Sequence, residues 1–124
     1  MIVVDTNILI GVLTKHAQSI ALLQDCEKQG GVGISIVTYL ELLSGVQSRE
    51  VKDLQKSLQD FMVLPFADQE IAELAASYRR SLKWATPDAI IAATCECGSH
   101  ELYTYDRGFS ELRKRWVHVI PYES

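Results

Sequence analysis

Four acidic residues in this chain have strongly apolar neighbours. Asp5 lies in MIVVDTNILI, Glu41 in TYLELLSG, Asp88 in TPDAIIAAT, and Asp106 follows the segment LYTY. An ionised carboxylate is costly to remove from water unless it is paired or neutralised. We therefore take these four residues as the candidates for chemistry.

Four carboxylates that meet at one place repel one another unless a cation lies between them. The donors are oxygens from separate segments, without clustered His or Cys, which favours Mg²⁺ or Mn²⁺ over zinc. Such an ion lowers the pKa of a bound water and stabilises charge on a leaving oxygen. The pattern predicts metal-dependent phosphodiester hydrolysis, with Asp5, Glu41, Asp88 and Asp106 as metal ligands and catalytic residues.

Each acid also has a local structural interpretation that the sequence leaves open. Asp5 fits a turn or a helix N-cap, and Asp106, which is followed two residues later by glycine, fits a turn. Thr38 and Glu41 have the spacing of a capping box. Asp88 fits the first turn of a helix, where a negative charge complements the helix dipole.

The elements that position these acids are predicted from hydrophobic periodicity and from cap and turn residues. Short apolar runs predict strands at 2–4, 32–36, 61–66, 102–105 and 117–120. Helical patterns cover 8–13, 20–29, 37–46, 51–61, 68–82 and 86–98, with a helical turn from 109 to 116. We expect Thr6 or Asn7 to cap the first helix, Asp68 the fifth and Thr86 the sixth.

Strands that alternate with helices predict an α/β protein, a three-layer α/β/α sandwich with a central parallel sheet. Functional sites in such sheets lie at the carboxyl ends of the strands. Asp5 and Asp106 both follow a predicted strand, so we expect them at the same edge.

The composition is that of one globular domain, spanning residues 1–124. No apolar stretch reaches the roughly 18 residues that span a bilayer, and the N-terminus lacks a signal-type segment, so we expect a cytoplasmic protein without membrane association. The three cysteines are too few for a disulfide scaffold and are expected to be reduced.

The net charge of −4 argues against simple electrostatic attraction to nucleic acid, so RNA binding needs local cations. Two groups combine basic residues with possible stacking surface, and each is equally well explained as a solvated helix face. The first consists of Arg79, Arg80, Lys83 and Trp84, and the second of Arg107, Arg113, Lys114 and Arg115. The RNA-binding candidates are Arg79, Arg80, Lys83, Arg107 and Arg113.

The four acidic motifs, in this order and spacing, resemble those of the PIN-domain ribonucleases, in particular the small VapC-type toxins of toxin-antitoxin pairs. The resemblance covers nearly the whole chain. It implies a metal-dependent endoribonuclease with metal-site acids at the four positions named above. Thr6, Asn7 and Thr104 match family positions near the site, where a hydroxyl or amide holds a carboxylate or water in place.

The resemblance also implies a homodimer and a cognate antitoxin whose tail occupies the active-site groove. One departure is visible, because many relatives carry an acid immediately before the phenylalanine, where this chain has Gly108 before Phe109. If the fourth family acid aligned there instead of at Asp106, the site would have three firm carboxylates.

Two other classes of function compete with this one. Phosphoacceptor signalling domains are also small α/β folds with acids at strand ends, but they need adjacent acids after the first strand, where this chain has Asp5, Thr6 and Asn7. A catalytically silent PIN-like binding module would keep the fold and meet only its partner. The presence of all four acids counts against that module.

Overall fold

The first strand lies in the middle of a parallel sheet. The computed structural model describes residues 1–66 and 68–124, and it places the strands in the order β3-β2-β1-β4-β5. Ile2 of the first strand is in register with Val32 on one side and with Glu101 on the other. The strands are β1 (Ile2–Val4), β2 (Val32–Ser35), β3 (Met62–Leu64), β4 (Glu101–Thr104) and β5 (Val117–Val119).

Helices connect the strands at the positions that the periodicity predicts. They are α1 (Thr6–Leu13), α2 (Ala17–Lys28), α3 (Ile36–Ser44), α4 (Val51–Leu58), α5 (Gln69–Leu82) and α6 (Thr86–Cys97), with 3₁₀ helices at Ser48–Glu50 and Arg107–Leu112. None of the helices in the described ranges is long and apolar enough to cross a membrane.

Two of the three predicted N-caps are wrong. The carboxylate of Asp5 accepts a hydrogen bond from the Thr6 backbone N–H, so the first helix begins at Thr6 rather than after it. The sixth helix has Ala85 as its N-cap. The prediction for the fifth helix is confirmed, because Asp68 accepts a hydrogen bond from the backbone N–H of Ile71.

Alternate residues of β1 face two different helical layers, as the pleat of a strand requires. Ile2 and Val4 belong to a core that also contains Ile8 and Leu9 of α1 and Cys26 of α2. Val3, with none of its surface exposed, packs on the other side with Ile91 and Ala92 of α6. The predicted three-layer sandwich is confirmed.

The strand order reverses direction at β1. From β1 the chain moves outwards through β2 to β3, and then returns to place β4 on the other side of β1. Ligand sites in open α/β sheets lie outside the carboxyl ends of the strands at such a switch point. Asp5 follows β1 and Asp106 lies two residues beyond β4, so both acids are at this position.

Gly11 of α1 makes the close approach of α1 to α2 possible. A Cβ atom at Gly11 would lie 2.0 Å from Ser19 Oγ, and Ser19 is buried and bonded to the Tyr105 hydroxyl at 2.7 Å. We predict that Gly11→Ala lowers the free energy of unfolding by about 1 to 3 kcal/mol, because the two helices must separate. Urea denaturation measures this change.

The matched control is Gly45→Ala, since a Cβ there meets only ordinary contacts, the nearest 3.5 Å away at Glu41 O. Its φ of −85° suits any residue, so the change in stability should stay within about 0.5 kcal/mol. Equal stability losses for the two variants would contradict the close-packing explanation for Gly11.

Candidate active site

Asp5 is the buried centre of the site. Its side chain is 5% exposed, and both of its carboxylate oxygens accept hydrogen bonds. The backbone N–H of Thr6 donates to Oδ1 at 2.8 Å, and the Thr104 hydroxyl donates to Oδ2 at 2.6 Å. The end of β1 and the end of β4 are thereby joined through one carboxylate.

Thr104 connects Asp5 to Asp106. Its Oγ1 accepts a hydrogen bond of 2.9 Å from the Asp106 backbone N–H while its own hydrogen goes to Asp5. The Asp106 Oδ1 accepts from the Gly108 N–H at 2.8 Å and caps the following 3₁₀ helix. Asp106 is exposed and lines a cavity together with Asp88. The turn interpretation of Asp106 is confirmed.

Glu41 approaches the site from α3 through Thr6. The Thr6 hydroxyl donates to Glu41 Oε1 at 2.8 Å, and Thr38 Oγ1 lies 3.0 Å from the same Thr6 oxygen. A hydroxyl carries one hydrogen, so Thr38 donates to Thr6 when Thr6 donates to Glu41. The three side chains form a short hydrogen-bonded series that fixes the direction of the carboxylate.

The capping-box interpretation of Thr38 and Glu41 is wrong. Thr38 lies inside α3, and the N-cap is Ser35, whose hydroxyl accepts from the Val37 N–H at 3.1 Å. Glu41 is itself exposed, as is the neighbouring Leu40 at 63%. The leucines around Glu41 therefore do not all belong to the core, and one side of α3 is an apolar surface.

Asp88 lies in the first turn of α6, the most buried helix among the described residues. All residues from Ala89 to Cys95 are buried, whereas Asp88 is half-buried at the helix end. Burial is the main cause that raises the pKa of the Asp88 carboxyl. Asp106 and Glu41 raise it further by charge repulsion.

Charge repulsion also links Asp5 to the other acids. Burial raises the pKa of Asp5 to about 6, and the nearby charges of Asp88 and Asp106 act in the same direction. The hydrogen bonds from Thr104 and Thr6 oppose that rise, since they stabilise the ionised form. Asp88 therefore lies near enough to Asp5, Asp106 and Glu41 for charge repulsion to act between them.

The oxygen atoms available at this site are of the kind that binds a hard divalent cation. Carboxylate and hydroxyl oxygens are the ligands that Mg²⁺ and Mn²⁺ prefer, and a positive charge would relieve the repulsion among the acids. Within residues 1–66 and 68–124, no three His, Cys, Asp or Glu side chains already stand close enough together to enclose an ion. The exposed side chains of Glu41 and Asp106 would have to turn inward to do so.

A cavity of about 310 Å³ opens beside Asp88 and Asp106. The basic candidate Lys83 and the neighbouring Trp84 line it, together with Glu111. Glu111 is not among the predicted site residues. It is an exposed acid on a short 3₁₀ helix, and no distinctive sequence pattern surrounds it. Its position beside Trp84 becomes visible only in the folded chain.

The other basic candidates are exposed. Arg79 and Arg80 line a neighbouring groove on α5, and the Arg79 guanidinium donates to the Trp84 carbonyl at 3.4 Å. Arg107 follows Asp106 directly, whereas Arg113 ends the 3₁₀ helix with a left-handed φ of 52°. Asn7 makes a long contact of 3.5 Å, in which its Oδ1 accepts from the Tyr105 N–H.

Comparison with known proteins identifies the family. A family model of the PIN domain matches residues 2–115 of this chain. The chain is 30% identical over 108 residues to ribonuclease VapC10 from two strains of Mycobacterium tuberculosis, an alignment that covers 84% of this chain and 81% of the relative. This chain belongs to the PIN-domain family, and it is a homologue of that ribonuclease.

Solved structures support the same assignment. A chain of a toxin-antitoxin complex from Klebsiella pneumoniae is similar to this one over 100% of both chains, with a TM-score of 0.83 and 29% identity. VapBC-1 from nontypeable Haemophilus influenzae has a TM-score of 0.79 and covers 96% of this chain and 98% of its own. At 19% identity, this second likeness concerns the fold alone.

The phosphoacceptor alternative does not fit the topology. Flavodoxin-like signalling domains have the strand order 2-1-3-4-5, whereas this sheet has the order 3-2-1-4-5. The resemblance to PIN domains is confirmed, and the phosphoacceptor interpretation is set aside.

Thr104 offers a test of how the site is held together. We predict that Thr104→Val lowers the free energy of unfolding by about 1 to 3 kcal/mol, because Asp5 loses a donor and the Asp106 N–H loses its acceptor. Thr104→Ser keeps the hydroxyl and should retain most of the stability. Thermal unfolding of both variants measures the difference, and a Thr104→Val variant as stable as the wild type would show that the hydroxyl does not stabilise the fold.

Asp88 offers a test of the charge repulsion. A carboxyl whose pKa is raised in the folded state contributes stability that is fully present below its unfolded pKa and is lost as the pH rises through the folded value. For Asp5 this window runs from 3.8 to about 6, and Asp88 shifts in the same direction. We predict that, in a chelator, Asp88→Asn melts at the same temperature as the wild type or higher at pH 7, with its advantage growing from pH 4 upwards.

The control for Asp88 is Asp53→Asn, an exposed acid in the first turn of α4. This variant loses the same negative charge at the same position in a helix. The interaction of such a charge with the helix dipole is worth about 0.3 to 1 kcal/mol. A drop in melting temperature for Asp88→Asn at pH 7 that equals or exceeds that of the control would assign Asp88 to helix capping instead.

Proposed function

We propose that this chain is a metal-dependent endoribonuclease of the cytoplasm and the toxin of a type II toxin-antitoxin pair. The observation that carries the proposal is the arrangement at the switch point of the sheet, where Thr104 joins Asp5 to Asp106 and where Asp88 lines one cavity with Asp106. The homology to ribonuclease VapC10 supports RNA as the substrate.

The proposed ligands for Mg²⁺ or Mn²⁺ are the same four acids. When bound, the ion supplies an activated water and offsets the charge that develops on the phosphate. Asp5 is buried and has both carboxylate oxygens hydrogen-bonded, whereas Glu41 and Asp106 are exposed and each accept one hydrogen bond, from the Thr6 hydroxyl and the Gly108 N–H. Because Asp88 is half-buried, repulsion from its neighbours favours a cation there over an empty site.

Thr104, Thr6 and Asn7 are proposed as positioning residues. Thr104 orients Asp5 and Asp106 together, and Thr6 orients Glu41. Asn7 contributes more weakly to the same edge, because its Oδ1 makes only a long contact with the Tyr105 N–H. Outer residues of this kind typically change activity by about 10- to 100-fold when they are removed.

RNA is proposed to cross this edge along the basic side chains. Lys83 and Arg107 lie beside the acids, and Arg79 and Arg80 extend the positive charge along α5. Arg113 lies further along the chain, at the end of the 3₁₀ helix. These local cations offset a net charge of −4, as phosphate binding requires.

An antitoxin is the proposed protein partner, since the Klebsiella pneumoniae neighbour is a toxin-antitoxin complex. A groove of about 310 Å³ next to Glu41 is lined by apolar side chains that include Ile10 and Leu13, which are 49% and 42% exposed. Neighbouring exposed apolar side chains such as these are typical of an interaction site. We also propose that the chain forms a homodimer.

The deciding experiment is RNA cleavage by the purified protein. We predict that Mg²⁺ or Mn²⁺ supports cleavage of a mixed RNA pool, that EDTA abolishes it, and that Asp5→Asn reduces it on the order of 100-fold or more. Asp53→Asn, purified in the same way, should cut like the wild type. Gel mapping of the RNA ends measures the activity.

Equal cleavage by the wild type and Asp5→Asn would refute the proposal. So would cleavage that persists in EDTA. Folded wild-type protein that binds RNA and cuts none with either metal would instead support the silent PIN-like binding module.

A further inference from the structure

The cavity beside Asp88 and Asp106 has a second wall that the cleavage chemistry does not use. Trp84 and Glu111 form this wall, and Lys83 stands at its edge. The volume of about 310 Å³ lies at the lower end of the range for ligand pockets, about 300 to 1,000 Å³. A cavity of this size can hold a single nucleobase beside Asp88 and Asp106.

Trp84 is fixed in this wall by contacts on three sides. Its ring meets the edge of Phe109 at 5.1 Å and 75°, and it is tilted against Tyr78 at 5.8 Å. Its indole Nε1 donates to Glu111 Oε2 at 3.3 Å. The ring is half-buried, so part of it faces the cavity while the rest is anchored. An immobilised aromatic ring with an open surface is what base stacking requires.

Charge decides which part of a nucleotide meets which residue. Glu111 lies with Asp88 and Asp106 along the cavity, so a phosphate placed against it would be repelled. A base edge that donates hydrogen bonds would be attracted instead, because a carboxylate is an acceptor only. Within residues 1–66 and 68–124, Glu111 Oε1 makes no hydrogen bond and can accept one.

We propose that Trp84 and Glu111 form a base subsite that selects the nucleotide beside the cleavage point. Trp84 stacks on the base, Glu111 accepts a hydrogen bond from its exocyclic amino group, and Lys83 contacts the adjoining phosphate. The subsite takes a base that carries an amino group and disfavours uracil, whose corresponding edge presents a carbonyl oxygen. This inference rests on the proposed ribonuclease function and adds substrate selectivity to it.

Cytosine and uracil test this directly, because they differ at the position of the amino group. Fluorescence anisotropy in EDTA compares labelled octacytidylate with labelled octauridylate, with RNA integrity checked on a gel. We expect the wild type to bind octacytidylate roughly 5-fold more tightly, the effect of one hydrogen bond. Glu111→Ala should bring the ratio of the two affinities close to one.

The matched control is Glu73→Ala, which removes the same charge from an exposed position on α5. It raises any general attraction to RNA as much as Glu111→Ala does, but it should leave the ratio unchanged. A ratio near one in the wild type, or a ratio that survives Glu111→Ala, would overturn the role of Glu111.

Stacking has its own readout. Trp84→Ala should weaken binding of both oligonucleotides roughly 5- to 100-fold, and Trp84→Phe should retain most of the binding. In a Trp116→Phe background Trp84 is the only tryptophan, so its fluorescence should fall when octacytidylate binds. If Trp84→Ala does not fold, this fluorescence change still tests whether Trp84 stacks on a base. Unchanged fluorescence on binding, or unchanged affinity in folded Trp84→Ala, would overturn stacking.

The two proposals fail in different ways. If the wild type cuts RNA but binds the two oligonucleotides equally or binds neither, the base subsite is wrong and the ribonuclease stands. If the wild type neither cuts RNA nor binds either oligonucleotide, both proposals are wrong.

Discussion

The gathering of negative charge at one edge of an apolar sheet is the constraint on which this structure depends. Asp5 is almost fully buried, and Asp88 lies half-buried in the first turn of the most buried of the described helices, so neither carboxylate is hydrated like a surface acid. Burial and repulsion raise the pKa of both. For Asp5 the difference from 3.8 to about 6 corresponds to about 3 kcal/mol of destabilisation at neutral pH. A small domain gives up a sizeable part of its stability for this arrangement.

The fold limits this cost by supplying hydrogen-bond donors at the same edge. The Thr6 N–H and the Thr104 hydroxyl stabilise ionised Asp5, and the Thr6 hydroxyl does the same for Glu41. These groups come from the first turn of α1 and from the end of β4, which are neighbours only because β1 and β4 pair. The sheet register and the ionisation of the site are therefore linked, and a change in one affects the other.

The sequence predicted the architecture well because its short apolar runs and its helical patterns are local. The position of Asp5 at the end of a central strand follows from the run Ile2–Val4 and is present in the structure. The caps were predicted less well, since Thr6, Asp5 and Asn7 all have suitable side chains and backbone geometry decides among them. Glu111 could not be found, because nothing in its neighbourhood distinguishes it from a solvated acid. Its association with Trp84 is a tertiary contact.

The hydrogen bond between Thr104 and Asp5 spans 99 residues of sequence. Chains are synthesised from the N-terminus, so β1 leaves the ribosome long before β4, the neighbour that completes the site. Until β4 has emerged, Asp5 lacks the hydroxyl that orients it and Asp106 does not yet exist. A nascent chain therefore has no complete site while most of it is still being made.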